Sequence, residues 1–434
     1  MDKDTIKLLC KQFEINEDVV NFVNSKEILI KDKFIEIDKI KEYNQYKILH
    51  SMHKARLSAT NFHWTTGYGY GDIGRDKVEE IYSLVFNAED ALVRPTIASG
   101  THAITLCLSG LLRPGDEFIS IAGSPYDTLR EVIGTEGNQD GTLLEYGIKY
   151  KEIPLKDGKI NTKEVIENIS KNTKLLLIQR STGYSTRKAI TIQEIKKVIE
   201  EIKGFNKEII IMVDNCYGEF VEKIEPTDIG ADIIAGSLIK NPGGGLALSG
   251  GYVAGKRDLV NRVANRSTAP GLGKDCGLTF GTTRTTLQGL FLAPHIVSEA
   301  KKGSILMGIV YKELGFKIVP DIEDTRSDIV QAIELNSPKR VIEFCQGIQK
   351  ASAVDAHVIP MPWDMPGYED EVIMASGSFV DGSSMELSAD GPMREPFIVY
   401  YQGGLTYEHC KLGVMMSLDN LVKKNLIDKN KLIF

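Results

Sequence analysis

The sequence predicts an α/β protein: a large domain on a doubly wound parallel sheet, followed by a smaller C-terminal α+β domain. Three observations carry that prediction. From about residue 60 to 300, short apolar runs alternate with amphipathic helical stretches, the pattern of strands and the helices that cover them. Glycines cluster between those segments, at Gly67–Gly74 and Gly243–Gly251. Past about residue 300 the texture changes to a long helix, a strand-like run and a loop rich in Pro, Met and Gly.

The elements follow in order. The first ~50 residues read as amphipathic helix, with Ile6, Leu9, Cys10 and Phe13 at helical spacing. Such an arm must bury its stripe against its own domain or a partner subunit. Strands are expected at Phe118–Ala122, Leu175–Ile178, Ile209–Val213 and Ile233–Ala235. Helices are expected at Lys77–Asn87, Ala103–Leu112, Thr162–Ile169 and Ile192–Ile202. A long helix near Ile296–Leu314 leads to a strand-like DIVQAIEL, a helix at Pro338–Lys350, the loop IPMPWDMPGYED and a last helix at Tyr407–Lys424. The expected division is an N-terminal arm over 1–60, a large domain over 61–305 and a small domain over 306–434.

Composition narrows the function classes. The chain has 434 residues, 42% hydrophobic and 26% charged, with a net charge of −7. Those proportions are ordinary for a folded protein, and the acidic balance disfavours nucleic acid as the partner. No run approaches the ~20 apolar residues that span a bilayer, and the N-terminus lacks a signal-peptide pattern. The six cysteines are scattered and form no CxxC, which fits reduced thiols of a cytoplasmic protein.

The strongest chemical signal is ADIIAGSLIKNPGGGLALSGG. Lys240 follows a buried strand on a glycine-rich turn, where partial desolvation would lower its pKa and free its lone pair. That suits a Schiff-base lysine; a surface lysine in a loop fits the same spacing. Upstream, KEIIIMVDNCYGEF ends an apolar run at Asp214. A carboxylate at the C-terminal end of a buried parallel strand lies where α/β folds bind ligands, and it can pair with a protonated pyridine nitrogen. A helix N-cap is the alternative use. In ALVRPTIASGTHAITLCL a strand, a Ser-Gly-Thr turn and a helix succeed one another. Free N–H groups there attract phosphate: Gly100 permits close approach and Thr101 adds a hydroxyl. Ser237 could give a further phosphate contact. Tyr126 follows a strand and a turn, so its ring could cover a flat cofactor; a partly buried loop aromatic is the plainer reading.

Together these segments resemble the pyridoxal-phosphate (PLP) enzymes of cysteine and methionine metabolism, the methionine γ-lyase and cystathionine β-lyase family. The resemblance is closest to its "aluminium resistance protein" subgroup. It runs from about residue 50 to the C-terminus, and AEDALVRPTIASGTHAI, VDNCYGEF and GSLIKNPGGG are its most specific parts. It implies the type I, aspartate-aminotransferase-like fold and a homodimer or homotetramer with shared sites. It also implies roles. Lys240 links covalently to the cofactor and then moves the substrate's α-proton. Asp214 pairs with the pyridine nitrogen, Tyr126 stacks on the ring, and Gly100, Thr101 and Ser237 hold the phosphate. Tyr68 reaches into a neighbouring subunit's site. Arg394 is the candidate for gripping the substrate carboxylate; apart from the resemblance, Arg180 is a second substrate-side candidate.

The sequence departs from the family pattern in places. Tyr70 stands where an arginine is usual, so phosphate binding would use another residue, such as Arg75. Ile239 replaces the threonine before the lysine. LLIQRSTGYSTRK, with Gln179, Arg180 and Tyr184, replaces the Asn-Pro turn at the substrate site. The resulting expectation is a carbon–sulfur lyase acting on a small amino acid. An aldolase, transferase or racemase on the same cofactor is the alternative, as is a silent PLP-fold binding protein.

Other signals are weaker. Gly69, Gly71 and Gly74 spell GxGxxG, but no apolar strand precedes them, as a dinucleotide site requires. His50 and His53 could share a helix face without a third ligand. Cys216 reads as a buried thiol beside the pocket.

Overall fold

The computed structural model describes residues 1–137 and 140–433, which fall into two compact units. One comprises Glu42–Gly183 and Lys188–Pro294. The other comprises Met1–Lys41, Tyr184–Arg187 and His295–Phe434.

The first unit is built on a seven-stranded sheet. Its strands are β1 (Asp90–Arg94), β2 (Glu117–Ser120), β3 (Lys149–Glu152), β4 (Thr173–Gln179), β5 (Ile210–Asp214), β6 (Ile233–Ser237) and β7 (Gly251–Gly255). Their spatial order is β1-β7-β6-β5-β4-β2-β3. Strands β2 to β6 pair in parallel, and most of their residues are buried, as continuous Val/Ile/Leu runs predict for a sheet covered on both faces.

One strand departs from the expected all-parallel sheet. β7 runs antiparallel to both β1 and β6. The segment joining β6 to β7 holds a single 3-10 turn, Asn241–Gly243, and no α-helix to carry a crossover. The chain therefore turns back on itself just after Lys240.

Helix Gly100–Leu111 supplies one covering layer. Ala103, Ile104, Cys107 and Leu108 pack in one cluster with Phe118, Leu175, Leu177, Met212, Ile233 and Val253. Those strand positions share the parity that points to one sheet face. Ser99 starts this helix, its side chain accepting from the His102 amide. Helix Ile192–Phe205 starts with a capping box between Thr191 and Glu194.

The second unit carries an antiparallel five-stranded sheet. Its strands are β8 (Lys317–Val319), β9 (Gln331–Glu334), β10 (Val372–Ser376), β11 (Ser388–Pro392) and β12 (Ile398–Gln402), in the order β10-β11-β12-β9-β8. Helices Pro338–Ala351 and Tyr407–Lys423 pack on one another and share its core. The N-terminal helices join that core through Leu9, Val19, Val20, Phe22 and Val23. Of the arm's apolar stripe, Leu9 is buried in this core, Ile6 and Cys10 are half-buried against it and Phe13 is exposed. Among the described residues, no helix is long and apolar enough to cross a membrane.

Candidate active site

The site is assembled at the C-terminal ends of β4, β5 and β6, where open α/β sheets bind ligands. Register places Gln179, Asp214 and Ala235 side by side across these strands. Asp214 is the last residue of β5 and is buried. Its Oδ1 accepts from the Cys216 amide at 3.1 Å, which fixes the carboxylate as the chain turns off the strand. Three residues beyond β6 comes Lys240, half-buried, with its Nζ 4.1 Å from the centroid of the Tyr217 ring. Tyr217 holds a left-handed φ of 67°, a backbone state that costs a non-glycine residue about 1 kcal/mol or more and clusters at functional sites.

The helix N-terminus lies against the same strand ends. A Cβ on Gly100 would stand 2.9 Å from Cys216 Sγ and 3.5 Å from Ser237 Cβ, so glycine is what allows the helix to approach this closely. Ser237 is buried and its Oγ has no hydrogen-bond partner. Among the described residues, the amides of Gly100 and Thr101 donate to no acceptor, as expected at a helix start. Tyr126 connects these parts. Its hydroxyl donates to Thr101 Oγ1 at 3.0 Å, and its amide donates to Gln179 Oε1 at 3.0 Å. A buried orphan hydroxyl, two unused amides and a nearby carboxylate fit a group that carries an anion at one end and a cationic nitrogen at the other.

The electrostatics differ from the sequence expectation. Burial by itself would lower the Lys240 ammonium. The acidic groups around it, Cys216, Tyr217, Asp214 and Tyr126, outweigh burial and hold it above the ordinary lysine value. Burial also pushes the Cys216 thiol and the Tyr126 phenol well up. Both therefore keep their protons near pH 7, and they oppose the burial of Lys240 only at higher pH. The amine is an ammonium at rest and must release a proton before its lone pair can react.

Two expectations change, one for the substrate and one for the phosphate. Arg180 is fully buried rather than presented to a ligand. Its guanidinium donates to Asn215 Oδ1 at 2.8 Å, the Gly218 carbonyl at 2.8 Å and Glu222 Oε1 at 3.0 Å, and it stands 3.7 Å from Glu225. It fastens the turn after Asp214, and its position next to the strand-ending Gln179 is what made it look available. Arg75 is buried as well and donates to the carbonyls of Gly67 and Gly69 at 2.8 and 3.0 Å, so it shapes the loop that presents Tyr68. Tyr68 is 66% exposed. Arg394 is exposed on the other unit, where it pairs with Asp370 at 3.1 Å.

The GxGxxG stretch is a loop leading to helix Ile73–Val85, capped by Asp72. Among the described residues no cluster of metal-ligating side chains occurs. Tyr217, Asn241 and Glu219 went unflagged in the sequence. The NCYGEF turn, directly after the strand-ending Asp214, could have pointed to Tyr217 and Glu219, and Asn241 stands next to the flagged Lys240.

The comparisons with known proteins agree with this arrangement. The uncharacterized protein YnbB of Bacillus subtilis (strain 168) is 49% identical over 394 residues, covering 90% of this chain and 94% of that one. The structure is similar to a carbon-sulfur lyase involved in aluminum resistance from Clostridium novyi NT, with a TM-score of 0.93 and 47% identity, covering 97% of this chain and 100% of that one. At the level of fold alone it matches the pyridoxal-5'-phosphate-dependent protein YhfS of Escherichia coli, with a TM-score of 0.60 and 18% identity over 89% of this chain and 97% of that one. The methionine gamma-lyase family description matches residues 19–422, and with the site at the strand ends this chain belongs to that family.

Proposed function

We propose that this protein is a PLP-dependent carbon–sulfur lyase acting on a cysteine- or methionine-type amino acid. The observation that carries the reading is the convergence of Asp214, Lys240, Ser237 and the Gly100 helix start on adjacent strand ends. Asp214 would hold the pyridine nitrogen, Gly100, Thr101 and Ser237 the phosphate, and Tyr126 one face of the ring. Bound there, the cofactor supplies a conjugated sink for the electron pair left when a bond to the substrate's Cα breaks.

The chain's own residues do the rest. Asp214, held by the Cys216 amide, keeps a negative charge beside the nitrogen and so favours its protonated state. Lys240 Nζ, once free and neutral, accepts the α-proton and can deliver it onward. Such positioned proton transfer contributes ~10²–10⁴-fold. Departure of sulfur from the β or γ carbon leaves an unsaturated product that water converts to a keto acid and ammonia. The exposed Tyr68 fits the resemblance to a residue offered to a second copy's site, in a homodimer or homotetramer, and Arg394 remains the candidate for the substrate carboxylate.

Product analysis tests the reading. Cystathionine, methionine and cysteine are offered separately, and keto acid, ammonia and the released thiol are measured. Keto acid with thiol in equal amounts supports the lyase. Turnover of an amino acid without thiol release favours an aldolase, transferase or racemase. No chemistry on any substrate by cofactor-loaded protein favours a binding role.

A further inference from the structure

A second acid lies behind the site. Glu219 is fully buried, in the turn that leaves β5. Its Oε1 accepts from the Tyr252 hydroxyl at 2.8 Å, and its backbone carbonyl accepts from Asn241 Nδ2 at 2.9 Å. Asn241 directly follows Lys240, so the acid's own backbone is tied to the lysine's turn. A Cβ on Gly236 would stand 2.5 Å from Glu219 Oε1, which seats the carboxyl against β6, one residue before Ser237. Its Oε2 has no partner.

The contrast with Glu225, in the same turn, is informative. Glu225 is also fully buried, but Arg180 and Lys47 stand 3.7 and 3.9 Å away. It also accepts from Asn215 Nδ2 at 3.0 Å and from the Phe220 amide at 2.9 Å. The Glu219 carboxyl has only neutral donors, its own amide and the Tyr252 hydroxyl, and among the described residues it makes no ion pair. A buried carboxylate with so little support costs several kcal/mol, whereas a protonated acid costs far less.

We propose that Glu219 is a positioning residue for Lys240: a neutral carboxylic acid that fastens the Cys216–Tyr217 turn to β7 and, on losing its proton, places a negative charge behind the amine. The inference rests on the reading of Lys240 given above. The groups that face Glu219 are Tyr252 on β7, Tyr82 on helix Ile73–Val85, Cys216 and Glu225 on its own turn, and Lys240 beyond β6. Burial raises the acid most and Glu225 adds to that, while its own amide, the Tyr252 hydroxyl and, least of the three, the Lys240 ammonium oppose it. The outcome is an acid pushed up to about 8. Below that pH the site holds a neutral acid; above it, Lys240 has a second anion as neighbour and gives up its proton less readily.

Infrared difference spectroscopy of the cofactor-free protein tests this through the acid itself. The wild type should show a protonated-carboxyl stretch that disappears with a midpoint around pH 8. Glu219→Gln, an isostere of the neutral acid, should fold and lack that band. Should it fail to fold, Tyr252→Phe assigns the band instead, by shifting its frequency when the hydroxyl donor is removed. Lys240→Met should raise the midpoint by about one unit, because interactions between two sites are reciprocal and the ammonium stabilises the anion. No protonated band near pH 7, or a midpoint that Lys240→Met leaves unchanged, overturns the proposal. The readout needs no cofactor, so a failed Glu219 result and a failed cofactor reading are separate outcomes.

Discussion

Gly100→Ala is a substitution that helix propensity alone would favour, by about 0.5–1 kcal/mol. The structure predicts the opposite sign. The new Cβ would lie 2.9 Å from Cys216 Sγ, well inside the ~3.5–4.0 Å at which carbon atoms pack without repulsion. Cys216 is 4% exposed and its amide is bound to Asp214, so the thiol has little room to retreat. Overpacking of this kind costs about 1–3 kcal/mol; at the middle of both ranges, subtracting the propensity gain leaves a net loss of about 1 kcal/mol. Cys216→Ala removes the colliding atom. The double variant should therefore be more stable than the sum of the single changes implies, by about 1 kcal/mol. Urea unfolding of cofactor-free protein measures all four members of the cycle, with equal slopes confirming a common transition. Cofactor affinity should fall in Gly100→Ala and partly return in the double variant. A neutral or stabilising Gly100→Ala, additive with Cys216→Ala, would refute the close approach of the helix to this turn.

Other predictions follow from the same contacts. Asp214→Asn retains an acceptor for the Cys216 amide but removes a negative charge facing the Lys240 ammonium, so the thermal midpoint of cofactor-free protein should fall and turnover should fall by ~10²-fold or more. Arg180→Met leaves Glu225 with Lys47 as its ion-pair partner and should destabilise by about 3 kcal/mol, read from the urea midpoint. In the other unit, burial tends to raise Glu27, but hydrogen bonds from Lys411 and Tyr407 hold it below the ordinary glutamate value. Its stabilising effect is thus complete above the unfolded-state value of ~4.5 and is lost as the pH falls through the lower folded value. The stability gap between wild type and Glu27→Gln should therefore shrink on acidification below about pH 4.5.

How much of this was legible in the sequence depends on the kind of signal. Buried strands announced themselves by apolar runs, so β4, β5 and β6 fell where Leu175–Ile178, Ile209–Val213 and Ile233–Ala235 predicted. That was enough to put Asp214 and Lys240 at strand ends. The direction of β7 was not legible, because it depends on the missing crossover helix and not on the strand's own residues. β11 reads SADGP, a composition that looks like a turn; it is a strand because β10 and β12 pair with it on both sides. β3 reads KYKE and is mostly exposed at the sheet edge, with no apolar signal to find. Long polar side chains were the least legible. Arg180 and Arg75 look like ligand holders by type and position, yet Arg180 is buried against groups that folding brings from 35 or more residues away, and Arg75 is buried against the carbonyls of its own loop. The sign of the Lys240 shift was missed for a related reason. Sequence suggests burial, but the acids gathered around the amine come from several segments.

The claim that Lys240 anchors the cofactor has a direct test. Purified protein is mixed with pyridoxal phosphate, its visible spectrum is recorded before and after borohydride reduction, and the reduced adduct is located by peptide mass mapping. The account predicts an absorbance band that disappears on reduction and a pyridoxyl group on Lys240. No band, or an adduct on a different lysine, would contradict it and leave Asp214, Ser237 and the Gly100 turn as structural features of the sheet.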